Sequence, residues 1–152
     1  MDKPKLQSAP FIVSQEQMNL DMEIFPFDIW GTTVHVLMLL KTEIIDKNQA
    51  KACLKALIEI KKEIQEGKFE IDPEKGAQLT LEAKLVEKAG EAAYSIHTGR
   101  SRNDQVMVAE LLYLREQMLL LSQDVVSLLK SLLGVATLHK QTILYAIPRE
   151  YR

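Results

Sequence analysis

Residues 97–106 bring together side chains that could bind an anion: the segment reads H-T-G-R-S-R-N-D-Q-V. Ser101 precedes a long apolar-periodic segment and Asp104 follows three residues later, a capping-box-like pattern that predicts the start of a helix. The first turn of a helix has unpaired N–H groups and the positive end of the helix dipole, and both favour a carboxylate. Arg100 and Arg102 add guanidinium groups that match a carboxylate in two-point geometry. The segment therefore predicts a carboxylate-binding site, the alternative being a capped surface helix with solvated arginines.

The composition is that of a soluble globular protein. The chain has 152 residues, of which 47% are hydrophobic, and this content argues against wholesale disorder. With 19 basic and 21 acidic residues the net charge is −2, which gives no electrostatic reason to expect binding to nucleic acid or to an acidic membrane.

The compartment is predicted from the cysteine content and from the apolar runs. Cys53 is the only cysteine, so an intrachain disulfide is excluded and a reducing compartment is favoured. No targeting signal stands out near the N-terminus. The apolar runs are short or are interrupted by charges, as at Asp124 and Lys130, so we expect no membrane span. The sequence predicts a cytoplasmic protein.

Helical periodicity dominates and predicts an all-α fold, with short N-terminal helices followed by one long helix of a multi-chain helical bundle. We expect a loose arm over residues 1–13 and then a short helix from about Ser14 to Glu23, ended by Pro26. Asp28 is predicted to cap a second helix that runs through Leu40.

Two further helices are predicted before the anion-binding segment. Asp46 and Gln49 form a capping box, and Gly67 supplies the stop. The next helix is expected from about Thr80 to Lys88, ending at Gly90. The apolar face of the first of these helices consists of Ala50, Cys53, Leu54, Leu57, Ile60 and Ile64.

The last segment predicts one long helix from Ser101 to about Lys140. It carries a heptad seam of apolar residues: Leu111, Leu114, Met118, Leu121, Val125, Leu128, Leu132 and Val135. Burying these eight side chains would contribute about 12–24 kcal/mol in gross terms, and the rest of the chain is too small to cover them. We therefore predict a homo-oligomer formed through helix 101–140, the alternative being a core helix covered within one chain. The predicted domains are 1–100, 101–141 and a divergent tail, 142–152.

Four stretches resemble the argininosuccinate lyase family of the aspartase/fumarase superfamily, its N-terminal portion only. Residues 97–106 look like the family's first signature, and residues 28–35, D-I-W-G-T-T-V-H, are similar to its D-I-x-G-S-x-A-H stretch. Residues 67–73, G-K-F-E-I-D-P, resemble its G-K-F-x-F-D-P turn, and residues 85–91, L-V-E-K-A-G-E, its L-x-E-x-I-G-E segment. The resemblance covers about residues 17–143.

The resemblance implies a fold, a reaction and a set of binding residues. Family members are all-helical homotetramers whose active sites gather segments from three subunits. They cleave argininosuccinate to arginine and fumarate in arginine biosynthesis, without a cofactor or a metal. Carried over, the substrate's carboxylate portion would be held first by Ser101, Arg102 and Asn103, and in second place by Arg100, Thr98 and Gln105. Asp104 is better explained as a residue of the helix start than as a base.

The catalytic segments of the family have no counterpart in these residues. Neither the T-H-L-Q signature, with its catalytic histidine, nor the G-S-S-x-M-P-x-K-K-N serine loop occurs in the sequence. The three histidines are interpreted otherwise: His35 as a satisfied core histidine, His97 as a structural residue and His139 as a surface or interface residue. No catalytic residue is therefore assigned, and the chain is interpreted as a truncated lyase that is inactive alone. The alternative is a non-catalytic helical protein for oligomerisation or structure that derives from the lyase fold.

Overall fold

The computed structural model describes residues 13–143, and within that range every regular element is helical, as predicted. The α-helices are α1 (Gln15–Lys41), α2 (Lys47–Gln65), α3 (Gly76–Ala89) and α4 (Arg102–Leu138), and a 3₁₀ helix (Gly90–His97) lies between α3 and α4. The chain divides into two units, one up to Tyr113 and one from Leu114 onward. Most of the arm predicted over 1–13 and most of the tail predicted over 142–152 lie outside the described residues.

Helix α1 replaces the two helices that the sequence predicts on either side of Pro26. It starts next to Ser14, as predicted, and Ser14 caps it, since the Ser14 side chain accepts a hydrogen bond from the backbone N–H of Gln17 at 3.2 Å. Pro26 lies inside the helix and does not end it. The helix continues because Phe25 and Ile29, on either side of the proline, are buried in the core, 1% and 3% exposed. Burial of this face outweighs the local cost of the proline.

Asp28 is therefore not a helix cap. It lies in the interior of α1 and is only 4% exposed, with its carboxylate directed to polar partners rather than to a helix N-terminus. The prediction failed because an aspartate just before an apolar-periodic run is a common start signal, whereas here the residue is buried by contacts from distant parts of the chain.

Helix α2 follows the sequence prediction closely. The Asp46 carboxylate accepts hydrogen bonds from the backbone N–H groups of Asn48 and Gln49, and the Gln49 side chain accepts one from the backbone of Asp46. After the helix, Gly67 adopts a positive φ of 67°, which suits glycine at a helix end. The predicted apolar face is confirmed. Its buried members are Ala50, Cys53, Leu57 and Ile60, and Leu54 and Ile64 pack partly buried against the same cluster.

Helix α3 begins at Gly76, four residues before its predicted start, because Ala77 is buried against the same core as Leu81 and Leu85. The 3₁₀ helix that follows was not predicted; it contributes Ala93 and Ile96 to the core. The predicted start was too late because glycine more often interrupts a helix than starts one.

Helix α4 confirms the predicted long helix, with bounds close to those expected. Its buried residues are Gln105 and Ala109, both in its first turns. The eight residues of the heptad seam are exposed in the single chain, each between 48% and 68%. By length and composition alone, both α1 and α4 could cross a membrane, a test that buried helices of soluble proteins also pass. The sequence analysis expected no membrane span because charges interrupt the apolar runs. In α4, however, Asp124 and Lys130 lower the mean hydropathy only slightly.

Candidate carboxylate-binding site at the start of helix α4

Three reciprocal hydrogen bonds between Ser101 and Asp104 cap the start of α4. The Asp104 carboxylate accepts hydrogen bonds from the backbone N–H and the hydroxyl of Ser101 at 3.0 and 2.9 Å. The backbone N–H of Asp104 in turn donates to the Ser101 hydroxyl at 3.3 Å. Hydrogen bonds from Ser101 lower the pKa of the Asp104 carboxyl. The predicted capping pattern is therefore confirmed, and Asp104 belongs to the structure of the helix start.

The side chains of Ser101, Arg102 and Asn103 are exposed on this first turn. The Ser101 hydroxyl and backbone N–H are engaged by Asp104, whereas the N–H groups of Arg102 and Asn103 have no carbonyl within the helix to bond. For a carboxylate, the turn thus offers two exposed side chains, those of Arg102 and Asn103, and two backbone donors. The adjacent Asp104 carboxylate opposes it electrostatically, so the two side chains must supply much of the attraction.

Arg100 is directed into the protein rather than toward solvent. Its Nη1 donates to the Thr32 hydroxyl at 3.2 Å, and its Nε is buried without a hydrogen-bond partner on the wall of a cavity of about 70 Å³. Burial lowers the pKa of the guanidinium, against the opposing effect of the nearby Asp28 carboxyl. The structure therefore places Arg100 apart from the exposed turn, as a link between that turn and α1.

Gln105 lies one turn into α4 and is only 3% exposed. Its Nε2 donates to both carboxylate oxygens of Asp28, at 2.7 and 2.9 Å, and the Thr32 hydroxyl donates to Asp28 Oδ1 at 3.3 Å. Burial raises the pKa of the Asp28 carboxyl, while the hydrogen bond from Gln105 and the charge of Arg100 act in the opposite direction. Nε2 of Gln105 is thus engaged inside the protein, whereas Oε1 is buried without a hydrogen-bond partner.

Thr98, His35 and His97 lie near this segment. Thr98 is exposed, and its carbonyl oxygen is 3.2 Å from Nε2 of His35. His35 is half-buried rather than in the core, which corrects its predicted placement, and burial together with the nearby Arg100 charge lowers its pKa. His97 lies 2.9 Å from Oε1 of Glu82, in agreement with a structural role. The third histidine, His139, is exposed as predicted.

A groove of about 590 Å³ lies beside the turn, between α1 and the first turns of α4. Its walls include Trp30, Val34 and Met38 of α1 and Val108 and Leu112 of α4. Sequence reasoning did not associate these residues with the site, because their apolar character is equally typical of a core face. Among residues 13–143, no cluster of three histidine, cysteine or acidic side chains could hold a metal ion.

Comparison with known proteins identifies a family. The family model described as lyase matches residues 14–146. Among curated relatives, the argininosuccinate lyase of Caldicellulosiruptor saccharolyticus is 33% identical over 82% of this chain and 27% of its own length. The argininosuccinate lyases of Sulfurihydrogenibium sp. and Methanocaldococcus jannaschii are 40% and 37% identical, over 77% and 84% of this chain and 25% and 26% of their own lengths.

The chain spans about a quarter of the length of these curated relatives. The matched part includes the exposed Ser101–Asn103 turn and the helix that presents it. The chain therefore belongs to the lyase family of the aspartase/fumarase superfamily and corresponds to the N-terminal region of its members.

Proposed function

We propose that this chain carries the carboxylate-binding segment of a lyase that cleaves argininosuccinate to arginine and fumarate. The observation that carries the proposal is the capped first turn of α4, which presents Arg102 and Asn103 to solvent beside backbone N–H donors. The similarity to argininosuccinate lyases over most of the chain supports the choice of substrate. The proposed binding residues are Ser101, Arg102 and Asn103, with Arg100, Thr98 and Gln105 supporting them.

The proposed reaction explains why such donors are needed. A base removes a proton from the carbon beside a substrate carboxylate, and the electron pair left on that carbon forms the double bond of fumarate as the C–N bond breaks. An acid donates a proton to the departing nitrogen, which leaves as arginine. Negative charge accumulates on the carboxylate as the proton leaves, and donors that are already in place stabilise it. Arg102 and Asn103 are suited to this role. Because the sequence contains neither the T-H-L-Q signature nor the serine loop, the base and acid must come from other segments.

The proposed assembly is a soluble, cytoplasmic homo-oligomer formed through helix 101–140. The eight seam residues of α4 are all about half exposed or more in the single chain, and a helix with so much apolar surface needs a neighbour. Pairing with further copies in a multi-chain bundle would cover the seam. We propose no membrane and no nucleic-acid partner, and no cofactor.

A second candidate function is a non-catalytic helical protein that assembles through the same helix. The exposed seam favours it, because assembly requires α4 alone and none of the catalytic signatures. The two functions differ in ligand binding: the lyase function requires a carboxylate to bind at the first turn of α4, whereas the assembly function does not.

A titration with fumarate tests the proposed function. Asn103→Ala removes a hydrogen bond to a charged group, which contributes about 1.5–3 kcal/mol, so we expect fumarate affinity to fall at least about tenfold. Asn48→Ala is the matched control: Asn48 is also an exposed asparagine near a helix start, but it lies at α2. Binding is measured from amide shifts of residues 101–105 in NMR spectra of the full chain.

The same preparation tests turnover. We expect the 152-residue polypeptide to release no fumarate from argininosuccinate, monitored by ultraviolet absorbance. Release of fumarate would contradict our assignment of the catalytic groups to other segments. Wild-type protein that binds no fumarate would contradict the proposed function and favour the assembly protein. Equal affinity of the Asn103→Ala variant and the wild type would remove Asn103 from the site.

A further inference from the structure

Helix α4 is joined to the rest of the first unit through few buried contacts. Gln105 and Ala109 are its buried residues, whereas Ser101 to Asp104 are exposed. Gln105 thus lies directly behind the turn that presents Arg102 and Asn103, and it is the first residue of α4 that contacts the interior.

Gln105 is held by a single acceptor group. Both oxygens of the Asp28 carboxylate accept hydrogen bonds from Gln105 Nε2, across 77 residues of sequence. Asp28 also accepts from Thr32, and the Thr32 hydroxyl in turn accepts from Arg100, the residue just before Ser101. The turn is therefore connected to Asp28 from both sides: through Arg100 before it and through Gln105 after it.

The Val108 side chain of α4 lies near Gly31 of α1 at this point. A Cβ atom added to Gly31 would lie 3.3 Å from Cγ1 of Val108, so a larger residue at position 31 would press on that side chain. Burying a carboxylate is costly unless it is hydrogen-bonded, and a rotation of α4 by one residue would leave both Asp28 and Gln105 unpaired in the interior. The pair thus favours one register of α4 on α1.

We propose that Asp28 is a positioning residue: through its buried hydrogen bonds with Gln105, it fixes the first turn of α4 and so orients Arg102 and Asn103 for carboxylate binding. Its role in binding rests on the proposed function, while its effect on the turn does not. Asp28 itself contacts Gln105 and Thr32, and it is not among the residues that we propose to hold the carboxylate.

The test compares two replacements of Asp28 in the full chain. Asp28→Ala removes the acceptor, so the ¹³Cα shifts of Arg102 to Val106 should move from helical toward random-coil values, and fumarate binding should weaken about tenfold. Asp28→Asn can pair with Gln105 after the Gln105 amide rotates, each amide then donating once and accepting once. We expect it to restore both the shifts and the affinity to within about twofold of the wild type.

Glu23→Ala is the matched control. The Glu23 carboxylate accepts a hydrogen bond from the Tyr113 hydroxyl at 3.0 Å, so it also joins α1 to α4, but two turns beyond Gln105 and at the surface. Its loss should leave the shifts of Arg102 to Val106 and the fumarate affinity unchanged. Gln105→Met serves as a second variant if Asp28→Ala does not fold, because it removes the donor with little change in volume.

The outcomes separate the positioning role from general stability. If the pair acts as a unit, the Asp28→Ala, Gln105→Met double variant should be no worse than either single variant. The proposal is overturned if Asp28→Ala keeps wild-type shifts in Arg102 to Val106, if Asp28→Asn behaves like Asp28→Ala, or if the two single effects add. If the wild type binds no fumarate, the proposed function fails, and the shifts alone decide whether Asp28 fixes the turn.

Discussion

At the scale of the residue, the buried carboxylate of Asp28 is the most consequential group in the first unit. An aspartate that is 96% buried loses its hydration, and here four polar groups act on it: Gln105 and Thr32 donate to it, Arg100 attracts it and Glu82 repels it. The loss of hydration affects the pKa of Asp28 more than any of these four groups, so the pKa is raised above its usual value. The ionised form is therefore a source of instability that the hydrogen bonds only partly offset.

This raised pKa predicts how the stability of the chain depends on pH. The folded state holds the Asp28 proton more tightly than the unfolded state does. Protonated Asp28 therefore makes its full contribution to stability below the unfolded pKa of about 3.8, and this contribution is lost as the pH rises through the folded pKa. The asparagine of Asp28→Asn has no proton to lose in this range. The free energy of unfolding of the variant should therefore increase relative to that of the wild type as the pH rises from 4 to 7. Urea unfolding at several pH values measures the difference. A difference that stays constant over this range would contradict the prediction.

The residues of the site differ in how well the sequence predicts them. Ser101 and Asp104 are three positions apart, and their hydrogen bonds could be predicted because helix capping is a local interaction. The partners of Gln105 and Arg100 lie 77 and 68 positions away, on α1, and no local pattern marks such pairs. The sequence consequently grouped all six candidate side chains around one ligand, whereas the structure directs Arg100 and Gln105 inward.

At the scale of the element, local signals were reliable where no burial opposed them. The capping box of α2 was predicted because Asp46 and Gln49 satisfy each other within four residues. The predicted break at Pro26 and the late start of α3 were wrong because core packing extended both helices past residues that usually interrupt them. Pro26 itself is exposed, so its ring contributes little to the core.

Pro26→Ala should therefore stabilise α1. The replacement restores a backbone N–H that can donate to the carbonyl of Met22 and removes a clash of the proline ring, a gain of at most about 3 kcal/mol. We expect a higher melting temperature, recorded by circular dichroism at the helical band. A lower melting temperature would show that the proline stabilises the chain by restricting the unfolded state.

Asp46→Ala should destabilise the first unit by about 1 kcal/mol, because the N–H groups of Asn48 and Gln49 lose their acceptor. Lys51→Ala is the control, since Lys51 is exposed on the same helix. Urea unfolding of both variants gives the comparison. If the two variants are equally stable, the hydrogen bonds of the capping box stabilise the chain no more than hydrogen bonds to water would.

At the scale of the whole molecule, the apolar surface of α4 is the feature that a single chain does not explain. The eight seam residues are between 48% and 68% exposed to solvent, and they recur at the heptad spacing that packs one helix against another. The sequence could predict this surface because the heptad pattern is regular, but it could not predict which helices cover it, since that depends on surfaces outside the seam.

Replacing two seam leucines tests whether the surface joins copies of this chain. Leu121→Lys together with Leu128→Lys would place two charges in the buried seam and lose about 3–6 kcal/mol of apolar burial, so the dissociation constant of the oligomer should rise at least about a hundredfold. Ser127→Lys adds a charge to the opposite face of the helix and should leave assembly unchanged. Sedimentation velocity in detergent-free buffer distinguishes the species. A wild-type monomer at micromolar concentration would contradict assembly through α4, and a wild type that stays in solution only with detergent would indicate that lipid, rather than another copy, covers the seam.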